Sequence, residues 1–283
     1  MTELRYVYAV CGPLDAPLPA QLTGVAGAVP RLVGHAGLTA VVSHVPADQF
    51  SEKALRRNLE NLDWLSDTAR AHQTVIAALG SVTSPLPLRL ATVFHDDSGV
   101  RAMLEDGAAG FRETLDRLRD RVEWGVKVYV EEQRAQDDAS GEQREARRER
   151  PSAQSLASGS GRDYLRRRRS ERAGRDEAWR QAEGFAQDLH DQLSRHAEET
   201  RIHPPQNAEL SRASGRNVLN AAYLVDRATS EAFVERVDST KDERPGLRVE
   251  LTGPWAAYSF CAPPEERTDA SGPAAGTAGG GAS

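Results

Sequence analysis

At 283 residues the chain is longer than one typical domain, so two domains are expected. Hydrophobic residues make up 39% of it and the mean hydropathy is -0.57, so part of the chain is expected to lack the apolar surface needed to fold. The formal net charge of -6 excludes an overall case for nucleic acid or a membrane surface as partner.

No run of about 18 apolar residues is present, so no spanning helix is expected. Met1–Val10 carries Glu3 and Arg5 and has no long apolar stretch, which argues against a signal peptide and for the cytosol. Cys11 and Cys261 lie near opposite ends and read as reduced, small hydrophobes.

Leu4 to Val10 alternates in β-forming residues and predicts a first strand, ended by Gly12-Pro13. A Pro- and Ala-rich connector leads to a second strand over Leu38 to Val45. From Ser51 to Leu79, Leu55, Leu59, Leu62, Leu65, Ala69, Ile76 and Leu79 recur every three or four positions, the stripe of one long helix between Ser51 and Gly80. His72 lies on that stripe and reads as a partly buried imidazole with a hydrogen-bond partner; a haem or metal role would need a second ligand at helical spacing, and none is there.

Leu86 to Phe94 predicts a strand with Leu86, Leu88, Leu90, Thr92 and Phe94 on one face and Arg89, Ala91 and Val93 on the other. Asp96-Asp97-Ser98 supplies capping chemistry for a helix running to Arg121, and Val122 to Val130 returns to strand. The order β-β-α-β-α-β predicts a mostly antiparallel sheet with two helices on one face, a ferredoxin-like α+β domain over residues 1–131. Arg89 and Glu123 would then pair across the second face of that sheet.

Residues 132–161 are charged, Ser/Gly-rich and nearly without aliphatics, and predict a flexible linker. The run Arg162, Arg166 to Arg169, Arg172 and Arg175 reads as a solvated helix start, with RNA binding as the alternative; its only interleaved aromatic is Tyr164. Ala178 to Thr200 is an amphipathic helix, and His190 and His196 point to different faces. A strand at Asn217 to Val225, a short helix at Ser230 to Val237 and a strand at Leu247 to Thr252, beside the first of these, complete a smaller α+β domain over 162–261. Residues 262–283 predict a disordered tail.

Neither a nucleotide-binding glycine pattern, nor Gly-x-Ser-x-Gly, His-Glu-x-x-His or Cys-x-x-Cys occurs. Catalytic, cofactor and metal residues are therefore not assigned.

Six segments together resemble the F/L-type gas vesicle accessory proteins: Tyr6-Val7-Tyr8; Pro87 to Phe94, similar to that family's Pro-Leu-Arg-Phe-Gly-Thr-Val-Phe; Glu123 to Val128; Gly161 to Leu165; Ala222 to Val225; and Leu251 to Trp255 with Tyr258-Ser259-Phe260. Leu90-Ala91 stands where the family carries Phe-Gly, and Ala256-Ala257 where it carries Pro-Pro. The resemblance implies a ferredoxin-like domain followed by a second α+β domain. It also implies a non-enzymatic role in assembly of the gas vesicle, with the major, very hydrophobic shell protein and other accessory proteins as partners, and neither nucleic acid nor membrane. Arg89, Leu90, Thr92 and Phe94 are the expected partner-binding residues. The aromatics Trp255, Tyr258 and Phe260, beyond the Gly253-Pro254 break, are expected to clamp the two domains together. The alternative is a haem- or small-molecule-binding enzyme on the same fold.

Overall fold

The computed structural model describes residues 2–14, 17–131, 161–205, 215–241 and 244–261. The expected tail over 262–283 and the expected linker over 132–161, apart from Gly161, lie outside the described residues. The chain divides into two units, one comprising Met1–Arg119 and the chain's end from Tyr258, the other Asp120–Ala257.

In the first unit the strands β1 (Glu3–Cys11), β2 (Arg31–His35), β3 (Leu38–Pro46), β4 (Leu86–Pro87) and β5 (Val93–Phe94) form one sheet. Its order is β2-β3-β1-β4, with β5 also on β1, and all pairings are antiparallel. β2 was not expected. It forms a hairpin with β3 whose two turn residues, Ala36 and Gly37, both have positive φ, the geometry a two-residue loop needs to match strand twist.

Helices α1 (Ala47–Phe50), α2 (Glu52–Asn58) and α3 (Leu62–Gly80) follow β3. The single helix expected over Ser51 to Leu79 is broken because the Asn61 side chain accepts from the backbone of Asp63 and Trp64 and starts α3 afresh. Leu59 and Leu62, expected on the buried stripe, are exposed as a result. α4 (Asp97–Asp106) starts from the Asp96 cap, with Gly99 N–H donating to its carboxylate at 3.0 Å, and α5 (Ala108–Leu118) follows.

The helices were expected on one face; they occupy both. Tyr6 on β1 meets His72 of α3, whereas Val7 and Val10 pack with Val33, Leu38, Ala40, Val42, Val100 and Leu104 under α4. Neighbouring strand residues point to opposite faces, so the sheet is a buried middle layer. This explains why β1 is almost continuously apolar and buried from Tyr6 to Cys11. Burial pushes the Cys11 thiol up to about 12 and keeps it uncharged.

The second unit holds β6 (Arg121–Val130), α6 (Gly161–Ser194), β7 (Glu199–Ile202), β8 (Arg216–Asp226), α7 (Ser230–Ser239) and β9 (Leu247–Trp255). Here two expectations are corrected. β6 does not close the first sheet, and β9 does not lie beside β8: the order is β7-β8-β6-β9, with β6 paired to β8 on one side and β9 on the other. Val122, Trp124, Val126 and Val128 of β6 line a core with Phe185, Leu189 and Leu193 of α6 and Phe233 and Val237 of α7. That face cannot be left in water, and it fits the helices of this unit.

Gly253 fixes the end of β9. Its φ is +129°, and a Cβ there would stand 2.8 Å from the Glu123 carbonyl oxygen and 2.9 Å from the Trp124 ring. Trp124 in turn donates through Nε1 to Ser230 Oγ at 2.6 Å. The peptide bond from Gly253 to Pro254 is cis. Beyond it Trp255 is 42% exposed, while Phe260 is buried within the first unit and its carbonyl accepts from Arg117 Nη2 at 2.5 Å. Gly253→Ala is expected to destabilise the protein by about 2 kcal/mol, read as a lower denaturant midpoint with an unchanged slope.

Candidate functional site

The Pro87 to Phe94 segment is not the single strand its alternation predicts. Its ends pair with β1, Pro87 with Ala9 and Phe94 with Arg5, and residues 89–91 turn away from the sheet between them. The turn is closed by its own hydrogen bonds: Thr92 N–H and Thr92 Oγ1 both donate to the Arg89 carbonyl, at 3.2 and 2.7 Å. Leu88 N–H donates to the Tyr8 carbonyl and Val7 N–H to the Thr92 carbonyl, both at 2.9 Å. These bonds occupy the outer edge of β1.

Ala91 sits at the corner with φ of +63°, the left-handed region that costs a side-chain-bearing residue roughly 1–2 kcal/mol. This is the position at which the resembled segment carries Gly. What holds the corner is the Tyr6 hydroxyl, which accepts from Ala91 N–H at 3.2 Å and lies 2.9 Å from His72 Nδ1. Tyr8 sits alongside, its hydroxyl donating to Ser43 Oγ at 2.9 Å and accepting from Val25 N–H at 2.8 Å. The Tyr6, Tyr8, Phe50, His72 and Tyr258 rings pack around one another in this unit.

His72 is 3% exposed, and burial lowers its pKa to about 4. Its ring is thus neutral at physiological pH and serves as the partner of Tyr6, as its place on the apolar stripe implies. Desolvation raises the Tyr6 phenol well above its ordinary value, so it keeps its proton. Among the described residues His72 Nε2 has no hydrogen-bond partner.

Of the four expected partner-binding residues, the structure separates two from two. Arg89 is exposed at the tip of the turn, and Leu90 is half-buried beside it. The Thr92 hydroxyl is spent closing the turn, and Phe94, half-buried, packs against the core under α4, its ring against Gly99. Arg89 lies in the turn between β4 and β5 of the first unit and Glu123 on β6 of the second, which removes the premise of an ion pair across one sheet. A half-buried ion cluster was not anticipated: one oxygen of Asp97 accepts from Arg5 Nε at 2.6 Å and from Arg31 Nη2, and these two guanidinium groups hold its carboxyl far below the usual range. It fixes the start of α4 to β1 and β2.

In the second unit the described arginines of α6 before Trp179, namely Arg166, Arg168, Arg169 and Arg172, are exposed, and core burial begins at Ala182. His190 is again a tyrosine partner, with Nδ1 2.8 Å from the Tyr223 hydroxyl. Among the described residues no group of three or more His, Cys, Asp and Glu side chains could hold a metal ion, and no helix is long and apolar enough to cross a membrane.

Two α+β units with antiparallel sheets, the first presenting a short turn tied to its core by a phenol, define a protein whose distinctive surface is a shaped turn. Residues 4–262 match the family described as Gas vesicle synthesis protein GvpL/GvpF, and the chain belongs to that family. It is 54% identical over 264 residues to Gas vesicle protein L of Streptomyces sp. (strain CB03234), covering 93% of this chain and 95% of that one. It is 28% identical to Gas vesicle protein F of the same organism, over 90% of this chain and 98% of that one. The fold is similar to the crystal structure of gas vesicle protein GvpF from Anabaena sp. PCC7120, with a TM-score of 0.59 at 21% identity, over 92% of this chain and 96% of that one.

Two outcomes are expected from this geometry. Ala91→Gly relieves the left-handed corner and raises stability by about 0.5–1 kcal/mol in chemical denaturation, a change of sign opposite to Gly253→Ala. The second concerns pH. Between pH 6.5 and about 4 the unfolded chain binds a proton at His72 that the folded chain refuses, so stability falls as pH drops through that window and levels off below it. The loss is about 3 kcal/mol, and His72→Leu removes that part of the pH dependence of unfolding.

Proposed function

We propose that this chain is a non-enzymatic accessory protein of gas vesicle assembly, cytoplasmic and associated with the vesicle, that binds the hydrophobic shell subunit and supports shell nucleation or growth. The whole-chain family match carries this reading. Other gas vesicle accessory proteins are its further partners.

A shell subunit that is insoluble alone needs its apolar surface covered before it joins the shell. The turn over 89–91 is the proposed contact. Because β4 and β5 already occupy the edge of β1, the partner meets the side chains of Arg89 and Leu90, and not an open main-chain ladder. Leu90 contributes apolar area and Arg89 a charged rim. The left-handed corner, held from beneath by Tyr6, sets both at a fixed angle, so little ordering cost is left for binding.

Leu90→Asp is expected to lower capture of the shell subunit by the immobilised full-length protein at least about tenfold, with the folded state retained in circular dichroism. Undiminished capture would remove the turn from the interface. Electron microscopy of cells that lose this chain but keep the rest of the vesicle machinery tests the wider reading: vesicles are expected to fail and to return when the chain is restored, and normal vesicles would overturn the assembly role.

A further inference from the structure

We propose that the outer edge of β9 pairs with the same edge of a second copy of this chain, joining two four-stranded sheets across a two-fold axis at Val249. β9 ends its sheet and, among the described residues, pairs only with β6. Glu131 N–H donates to the Gly246 carbonyl at 2.9 Å, which sets the phase of the ladder. Main-chain groups alternate along an antiparallel strand, so Arg248, Glu250 and Thr252 turn theirs towards β6, while Leu247, Val249 and Leu251 turn theirs outward. The Val128 carbonyl, opposite Val249 in the register, agrees: it accepts from Asn217 of β8 and so faces away from β9.

The side chains supply the register. Leu247-Arg248-Val249-Glu250-Leu251 reads apolar, positive, apolar, negative, apolar about Val249. Antiparallel pairing centred there sets each Arg248 opposite the partner's Glu250, in a non-hydrogen-bonded position where Cα atoms approach to about 4.5 Å. The two Val249 residues exchange their main-chain bonds, and each Leu251 N–H meets the partner's Leu247 carbonyl. Leu247 N–H is engaged with the Arg244 carbonyl at 3.2 Å, so this pair forms with one main-chain bond at each end of the ladder.

Charges on an edge strand ordinarily keep copies apart. Here opposite signs at symmetric positions make the edge self-complementary, the requirement of an isologous two-fold contact. Arg248 already lies over the Tyr129 ring, 4.4 Å from its centre, and bonds Glu250 and Glu131 on the same side. Its guanidinium is thus held beside the edge, within reach of a second carboxylate.

Sedimentation equilibrium of the full-length chain from low to high micromolar concentration tests this. The average mass is expected to climb from 30.8 kDa towards twice that value. Arg248→Glu or Glu250→Arg alone sets like charges opposite each other twice per dimer and weakens association by about tenfold or more. The double variant Arg248→Glu with Glu250→Arg restores it to within about threefold of the starting protein. A starting protein that stays at 30.8 kDa throughout overturns the proposal, as does equal association of all four proteins or a double variant no tighter than the singles. Amide exchange of the unsubstituted protein gives a second readout: Val249 and Leu251 N–H are expected to slow with concentration, and concentration-independent exchange would contradict the pairing.

Discussion

The Tyr6 phenol is the point on which the first unit depends. Its oxygen lies 2.9 Å from His72 of α3 and accepts from Ala91 at the corner of the exposed turn, so one buried group ties helix, central strand and surface loop together. The environment decides the chemistry: burial keeps the phenol protonated and the imidazole neutral, and the network can form without burying a charge. A turn with a side-chain-bearing residue in the left-handed region persists only when its surroundings over-determine it, and here they do.

The second unit rests on a different device. β6 lies between β8 and β9, and its Trp124 supports the backbone of Gly253 on one side while donating to Ser230 on the other. Close approach of main chain to an aromatic face demands the absence of a Cβ, which is the reason for a glycine between the strand and Pro254. The two units thus use aromatic residues in opposite ways: a phenol as a hydrogen-bond hub in one, an indole as a platform in the other.

How far the fold could be read from the chain depends on the range of the interaction. Local chemistry was legible: the alternation of β1, the Asp96 cap of α4, the strand at β8 and the helix at Ser230 all appear where pattern places them. Partner choice was not. The alternation of Val122 to Val130 states that one face is buried, yet nothing in it says which strands lie on either side, and β6 was assigned to the wrong sheet. At α3 a local signal overrides a longer one, since the apolar spacing runs straight across Asn61 yet the Asn61 cap starts the helix afresh.

The site divides in the same way. Arg89 and Leu90 were picked out from a segment that resembles a known motif, and both reach the surface; Thr92 and Phe94 came from the same alternation and are consumed by the fold, because Ala91 reverses the chain between them. The tie from Tyr6 to His72 spans 66 residues and that to Ala91 spans 85, and no local pattern reports contacts at such separations. Tyr6→Phe examined by amide exchange tests the dependence of the turn on this phenol most directly. Loss of the acceptor should speed exchange at Ala91 by at least about tenfold while α3 and β3 stay protected; unchanged protection at Ala91 would show that the turn stands without the tie.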